Sequence, residues 1–288
     1  MDSFVERARD LPILGTGIST EFGARHSGLD LLEFRRRYPN FAQFLEIGAD
    51  LDRGIDDDAR AWAAAGGSVT YHFLDLNLEE SEDLDAHWIE DTAAAAREVG
   101  AAWLCGDAGL WHIGPRDRGH GILMPPILSQ DSALEMAANV AALREASGFE
   151  VLPENPPAHV FVGPLHLLDY FARVIDGADS GMLLDVAHLA VYQRVQGNAP
   201  LTGLDGFPLE RVLEIHVAGG TPFEWQGRPF VDDDHGTQVL EETWTILEHV
   251  LPLTSNLKAL VFEGERNAIE EVVPIFERID ILRKKAGR

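Results

Sequence analysis

The chain has little sulfur and little positive charge. It holds one cysteine in 288 residues, so no disulfide can close within it. Cys105, set in the apolar run "AAWLCGD", reads as a small buried hydrophobe rather than a nucleophile. Basic residues number 23 against 48 acidic ones, a net charge of -25. Such a field repels nucleic acid and anionic membranes, so neither is expected as a partner. No apolar stretch is long enough to span a bilayer. The opening "MDSFVERARD" lacks the hydrophobic segment of a signal peptide, and a cytoplasmic location is expected. Three catalytic signatures are also missing. There is no G-x-S-x-G elbow and no P-loop, and "GTGISTEFG" begins as G-x-G but misplaces the third glycine of a dinucleotide-binding turn.

What the chain does have is alternation. Short apolar runs that end in polar residues or glycine mark eight strands, over residues 11–18, 43–48, 68–74, 101–106, 149–154, 181–186, 212–217 and 258–264. Longer periodic stretches between them, clearest over 84–100, 131–148, 163–177 and 237–251, mark helices. Several strands are almost continuously apolar, as in a parallel sheet covered by helices. Eight strands alternating with helices predict a single (β/α)8 TIM barrel over 1–288, of α/β class, with no linker or repeat. An open doubly wound sheet is the competing architecture, and the missing dinucleotide fingerprint speaks against it. Residues 156–164 and 219–236 read as long loops after strands.

In a barrel of this kind, chemistry sits at the C-terminal ends of the strands. Those ends here are rich in His, Asp and Glu. The second strand carries Glu46. The third carries His72, with Asp75 and Asn77 beyond it, and the fourth is followed by Asp107 and then His112. The fifth ends in Glu154-Asn155, the sixth in Asp185 with His188 three residues on, and the seventh in His216. The segment "VDDDHGTQV" follows, with Asp233 and His235 two apart and so able to face one side of extended backbone. The eighth strand ends in Glu263, with Glu265 just beyond. A mixture of imidazole and carboxylate suits Fe, Mn or Zn. Nine candidate ligands (His72, Asp107, Glu154, Asp185, His188, His216, Asp233, His235 and Glu263) exceed what one ion needs, which points to two or three ions bridged by carboxylates. Glu46, Asn155 and Glu265 are expected to orient those ligands. His120, His159, His166 and His249 fall on loops or helices and are not expected to bind metal. His26 is expected at the surface or in support, and His87 and His112 are left open.

The segments "GTGI", "YHFLDLNL", "GHGILMPP", "LPENPP", "LLDVAHLAV", "EIHVAGG", "VDDDHGTQV" and "VFEGERN" occur in this order from the first strand to the last. In this the chain resembles the multinuclear non-haem iron-dependent oxidative enzymes, the family that includes the enzyme building the oxazolone–thioamide groups of methanobactin. The resemblance implies a xylose-isomerase-like TIM barrel with two or three irons, as Fe(II) and Fe(III), at its mouth. It implies ligands at His72, Glu154 (the bridging carboxylate), Asp185, His216, Asp233, His235 and Glu263. Two places depart from the family pattern. Asp107 of "CGDAG" stands near the usual Ser-Glu-His histidine, and His188 stands where the family usually has asparagine. Both are still metal-competent, and the chain resembles a divergent member. The implied activity is oxidative modification, with O2, of a Cys or Asp residue in a ribosomally made peptide (RiPP) or of a related small molecule, in natural-product biosynthesis. A separate precursor-recognition protein is an expected partner. Three rivals share this barrel: a sugar isomerase or epimerase using Mn, Mg or Zn, a metal-dependent phosphoesterase, and a non-catalytic metal-binding protein.

Overall fold

The computed structural model describes residues 3–20, 28–114 and 121–288. His26 and His120 therefore lie outside the described residues. Eight parallel strands close a barrel: β1 (Gly15–Thr20), β2 (Phe44–Ala49), β3 (Ser68–Phe73), β4 (Ala101–Asp107), β5 (Val151–Glu154), β6 (Met182–Asp185), β7 (Val212–Trp225) and β9 (Ala259–Glu263). Each pairs with the next around the ring, and β9 returns to pair with β1. Helices α2 (Leu31–Arg37), α3 (Asp57–Ala64), α4 (Ala86–Glu98), α5 (Gln130–Ser147), α6 (Leu167–Ala178), α7 (Val186–Gln196), α8 (Glu241–Val250) and α9 (Ile269–Lys285) fill the connections. The fold is the TIM barrel that the alternation predicts. Among the described residues no helix is long and apolar enough to cross a membrane.

Local chemistry sets the helix ends. The side chains of Asp30, Asp56, Asp85 and Ser129 accept hydrogen bonds from backbone N–H groups in the first turns of α2, α3, α4 and α5. Part of the acidic excess is thus spent on capping. Gly148 ends α5 with φ 77°, a left-handed conformation that costs glycine little. Most of the apolar surface is buried between the helices and the outside of the barrel, as in the packing of Phe34, Trp62, Tyr71, Phe171 and Phe276.

Inside the barrel, the period of two along each strand sorts residues by height. At the lower end Phe44, Trp103, Leu152, Leu183 and Ala259 form one apolar cluster, closed from below by Phe4 and Ala8 of α1 (Phe4–Asp10). Two or four residues further along the same strands stand Glu46, Cys105, Glu154, Asp185 and Glu263, all buried. The barrel is apolar at its base and polar at the C-terminal ends of its strands.

One expectation is overturned. Residues 219–236 do not form a loop. β7 runs on to Trp225 and β8 (Arg228–Gly236) folds back antiparallel to it, from the pair Gly219–Gly236 to Trp225–Arg228. Phe230 and Val231 pack on Val191 and Val195 of α7 and on Leu240, which seats the hairpin on the barrel wall. The sequence hides this because the hairpin's apolar residues are sparse and interrupted by Pro222, Gly227 and Pro229. The paired glycines of "EIHVAGG" permit the fold-back. A Cβ on Gly219 would lie 2.0 Å from the Gly236 carbonyl oxygen, and one on Gly220 would lie 2.8 Å from Val231 Cγ1 and 2.9 Å from the Asp232 carbonyl oxygen. Gly219→Ala is expected to cost roughly 1–3 kcal/mol by overpacking. Because the strain falls on the hairpin, hydrogen exchange should rise across 219–236 while the eight parallel strands keep their protection.

Candidate metal centre

The end of β6 shows how the fold builds the site. Asp185 is the last residue of β6 and the N-cap of α7, and one of its carboxylate oxygens accepts from the His188 N–H at 2.6 Å. The spacing D-x-x-H therefore comes from a capping turn, and it delivers both side chains to the mouth. β8 delivers two more by alternation. Asp233 faces the mouth, whereas the Asp234 carboxylate turns back to the Gly236 N–H and the Thr221 hydroxyl. The run of three aspartates thus splits across two faces of a strand.

All nine candidate ligands converge. His72 Nε2 is 2.7 Å from Glu154 Oε2. His188 Nε2 is 3.0 Å from Asp233 Oδ2 and 3.6 Å from Asp185 Oδ2, and its Nδ1 is 3.8 Å from Asp107 Oδ1. His216 Nδ1 is 3.4 Å from both Glu154 Oε1 and Glu263 Oε1. His235 Nε2 is 3.8 Å from Asp233 Oδ2 and 3.9 Å from Glu263 Oε2. Two compact triads, His72–Asp107–Glu154 and Glu154–Asp185–His188, each hold their donor atoms within 4.8 Å, and Glu154 belongs to both.

The side chains behind them fix which ring nitrogen faces the centre. The His216 Nε2–H points to Glu46 Oε2 at 3.0 Å, which leaves Nδ1 toward the other ligands. His235 Nδ1 lies 2.7 Å from Glu265 Oε1, leaving Nε2. Glu265 is held in turn by the Ser19 hydroxyl at 2.8 Å. His188 Nδ1 lies 2.9 Å from the Asn155 carbonyl oxygen, leaving Nε2, and the Asn155 amide brackets the Asp185 backbone on both sides. Carboxylates and carbonyls behind histidines set tautomer and ring angle at metal sites. Glu265→Gln is expected to weaken metal binding about 10–100-fold by loosening His235. Equilibrium dialysis against a chelator series checks this, and unchanged affinity would deny Glu265 that role.

Burial pushes the Asp185 carboxyl up to about 7 and the Asp107 carboxyl well above the carboxylate range. Burial alone would lower the His72 imidazolium, but the bond to Glu154 and the charges of Glu46 and Asp107 hold it at about 9. His188, His216 and His235 are raised against burial by their own carboxylates. Glu154, despite complete burial, is held well below the carboxylate range by His216 and His72. Five buried atoms of the set make no hydrogen bond: Asp107 Oδ1, Glu154 Oε1, Asp185 Oδ2, His216 Nδ1 and Glu263 Oε2. Orphaned polar atoms are rare in protein interiors. Gathered at one point and made of imidazole and carboxylate, they fit first-row metal ions.

Other polar residues near the strand ends serve the loops. Asp75 accepts from the Trp88 indole and the Leu51 N–H. Asn77 and His112 tie the loops after β3 and β4, His112 Nε2 lying 3.0 Å from Asp83. His87 is exposed, His166 caps α6, and His159 meets the Val231 carbonyl oxygen. Sequence reasoning passed over Glu214. It is fully buried beneath the centre, accepts from the Trp103 indole at 2.7 Å, and burial beside Glu46 raises it to about 8. Its position two residues before His216, on the same strand face, was the available signal. Cys105 is buried as expected, its Sγ 3.4 Å from Glu46 Oε2.

Fold and site together define a xylose-isomerase-like TIM barrel with a buried histidine–carboxylate cluster at its mouth. A xylose isomerase-like TIM barrel protein from Mycobacterium smegmatis, solved with magnesium, superposes with a TM-score of 0.60 at 12% identity, covering 99% of each chain. A xylose isomerase domain protein from Salmonella typhimurium gives 0.59 at 12% identity, covering 97% of this chain and 99% of that one. The family model for the RiPP precursor modification enzymes MbnB/TglH/ChrH matches residues 26–280, and the chain belongs to that family. Among curated relatives, a UPF0276 protein of Rhizorhabdus wittichii is 26% identical over 74% of this chain and 73% of its own. A UPF0276 protein of Bordetella pertussis is 29% identical over 70% of each.

Proposed function

We propose that this protein is a multinuclear iron enzyme that uses O2 to modify a ribosomally made peptide at a Cys or Asp residue, with a separate protein presenting the precursor. The observation that carries this is the shared position of Glu154 in two buried triads, with five orphaned donor atoms around it. His72, Asp107 and Glu154 would hold one ion, and Glu154, Asp185 and His188 a second. His216, Asp233, His235 and Glu263 are left for a third. Bound iron would supply one-electron chemistry with dioxygen and an open position for a substrate thiolate or carboxylate. The chain's own groups would hold that assembly still. Glu46, Glu265 and the Asn155 carbonyl accept the rear N–H groups of His216, His235 and His188, so these rings present one nitrogen each.

The cavity above the cluster, about 1130 Å³, exceeds the usual range for a small-molecule pocket and suits a peptide segment. The deciding experiment is metal analysis with Mössbauer spectroscopy on anaerobically handled protein. Two or three exchange-coupled irons per chain are expected. Zinc or manganese alone, with no iron retained after reconstitution, would move the isomerase and phosphoesterase readings ahead.

A further inference from the structure

The mouth of the barrel has two unlike sides. After β4 and β5, the segments 121–127 and 157–162 raise an aliphatic rim over the cavity. Ile122, Met124, Ile127, Val160 and Val162 line the cavity and are all exposed, Val160 to 67% and Ile127 and Val162 to 61%. Large side chains exposed together in this way mark a binding surface more often than an accident of folding. The bond from the Leu128 N–H to the Val162 carbonyl oxygen (2.7 Å) and that from the Leu165 N–H to the Leu128 carbonyl oxygen (3.0 Å) fasten the two segments to each other, so the rim is one built wall.

The opposite side of the ring follows β9, β1 and β2. Two arginines line the cavity there, Arg266 after β9 and Arg53 after β2, and among the described lining residues they are its only Arg or Lys side chains. Arg53 lies 3.6 Å from Asp50, and Arg266 lies 3.9 Å from Glu265 and 3.4 Å from the Asp234 carbonyl oxygen. In a chain of net charge -25, the cations of the described lining stand on one side, and a substrate carboxylate would meet them there.

We propose that the occupant is a peptide segment with a bulky aliphatic or aromatic residue on one side of the reacting residue and a carboxylate on the other. The apolar side chain seats on the 121–127 and 157–162 wall, and the carboxylate faces Arg53 and Arg266. This rests on the peptide reading above and adds a specificity rule to it. On this wall a sugar would meet one hydrogen-bonding side chain, His159, whose Nε2 is already engaged with the Val231 carbonyl oxygen, among otherwise aliphatic ones.

The test is affinity selection of a synthetic nonapeptide library on the metal-loaded full chain, with retained peptides sequenced by mass spectrometry. One library has amidated C-termini and the other free ones. Wild-type protein should enrich Leu, Ile, Phe or Met near one end and a carboxylate toward the other, by about tenfold for the apolar position given the burial of one such side chain. Enrichment in both libraries assigns the carboxylate to Asp or Glu, and enrichment only with free termini assigns it to the chain end. Val160→Asp should abolish the apolar preference and leave the acidic one. Arg53 is paired with Asp50 and not with the groups behind the histidines, so Arg53→Gln should weaken the acidic preference and leave the apolar one, with metal content unchanged in both variants. Peptides retained with no apolar preference, or with the same preference in Val160→Asp, would overturn the specificity rule alone. Retention of no peptide by fully metal-loaded protein would overturn the peptide reading as well.

Discussion

Glu154→Gln is expected to remove most bound metal and essentially all activity. The substitution keeps volume and shape, so the barrel should fold. What it removes is the charge that two triads share, with His72 on one side and Asp185 and His188 on the other. An amide offers a neutral oxygen where the carboxylate offers a charge, so it would hold cations less well on either side. Loss of a ligand to one ion would leave the others in place, whereas loss of the shared one should empty two positions together. Elemental analysis should show at least two ions fewer per chain than wild type, with turnover down on the order of a thousandfold or more, the scale attached to transition-state charge stabilisation. Asp107→Asn is the control, since Asp107 belongs to one triad only and should cost a single ion. Equal losses in the two variants would show that Glu154 is not shared in the loaded protein.

The contrast between Glu154 and Asp233 also shows what could be read from the sequence. Glu154 closes a short apolar strand, and in a closed parallel barrel the last residue of such a strand faces the mouth. The period of two and the barrel prediction were enough to place it, and the same holds for His72, Asp185, His216 and Glu263. Asp233 and His235 needed a hairpin that the periodicity does not announce, because its stability comes from packing on α7 and from two glycines that allow close approach. Their convergence on the cluster was legible only as a two-residue spacing within an assumed loop. The partners behind the histidines divide in the same way. Glu46 and Glu265 lie on or next to strands and could be placed by register. The Asn155 carbonyl that orients His188 is backbone, and no side-chain pattern records it. Glu214 and the apolar base show that the strand faces carry polarity graded by height, which follows from closure and not from any one strand's composition. The unlike sides of the mouth are the least legible feature, because strand order around a closed ring is what opposes β9–β1–β2 to β4–β5.

The metal-free protein is expected to become less stable as pH rises from about 5 to about 9, and bound metal should remove that slope. The sign follows from linkage. His72 is raised from 6.5 to about 9, so its protonated form stabilises the fold fully below pH 6.5, and that contribution is lost as pH passes through about 9. Asp185 is raised from 3.8 to about 7, so the folded state again holds a proton that the unfolded state has released, and stability falls as pH rises through about 7. Glu154, Asp233, Glu263 and Glu265 are lowered instead, and their contribution is lost only in acid, below the ordinary carboxylate range, outside this window. Asp107, His188, His216, His235 and Glu214 are raised as well and act in the same direction. His72 and Asp185 each represent on the order of 3 kcal/mol, and because all of these groups share partners their sum is less than additive. For a chain of this size that corresponds to a fall in Tm on the order of 10 °C across the window. Bound cations replace those protons, so the loaded protein should give a flat or opposite slope, and metal uptake should release protons in proportion to the groups displaced. Differential scanning calorimetry of chelated and reconstituted protein between pH 5 and pH 9, with proton release on loading followed in weak buffer, reads both effects. A chelated protein whose Tm rises with pH in that range would mean that the cluster is already deprotonated when empty, and its carboxylates would then need some other source of compensating charge.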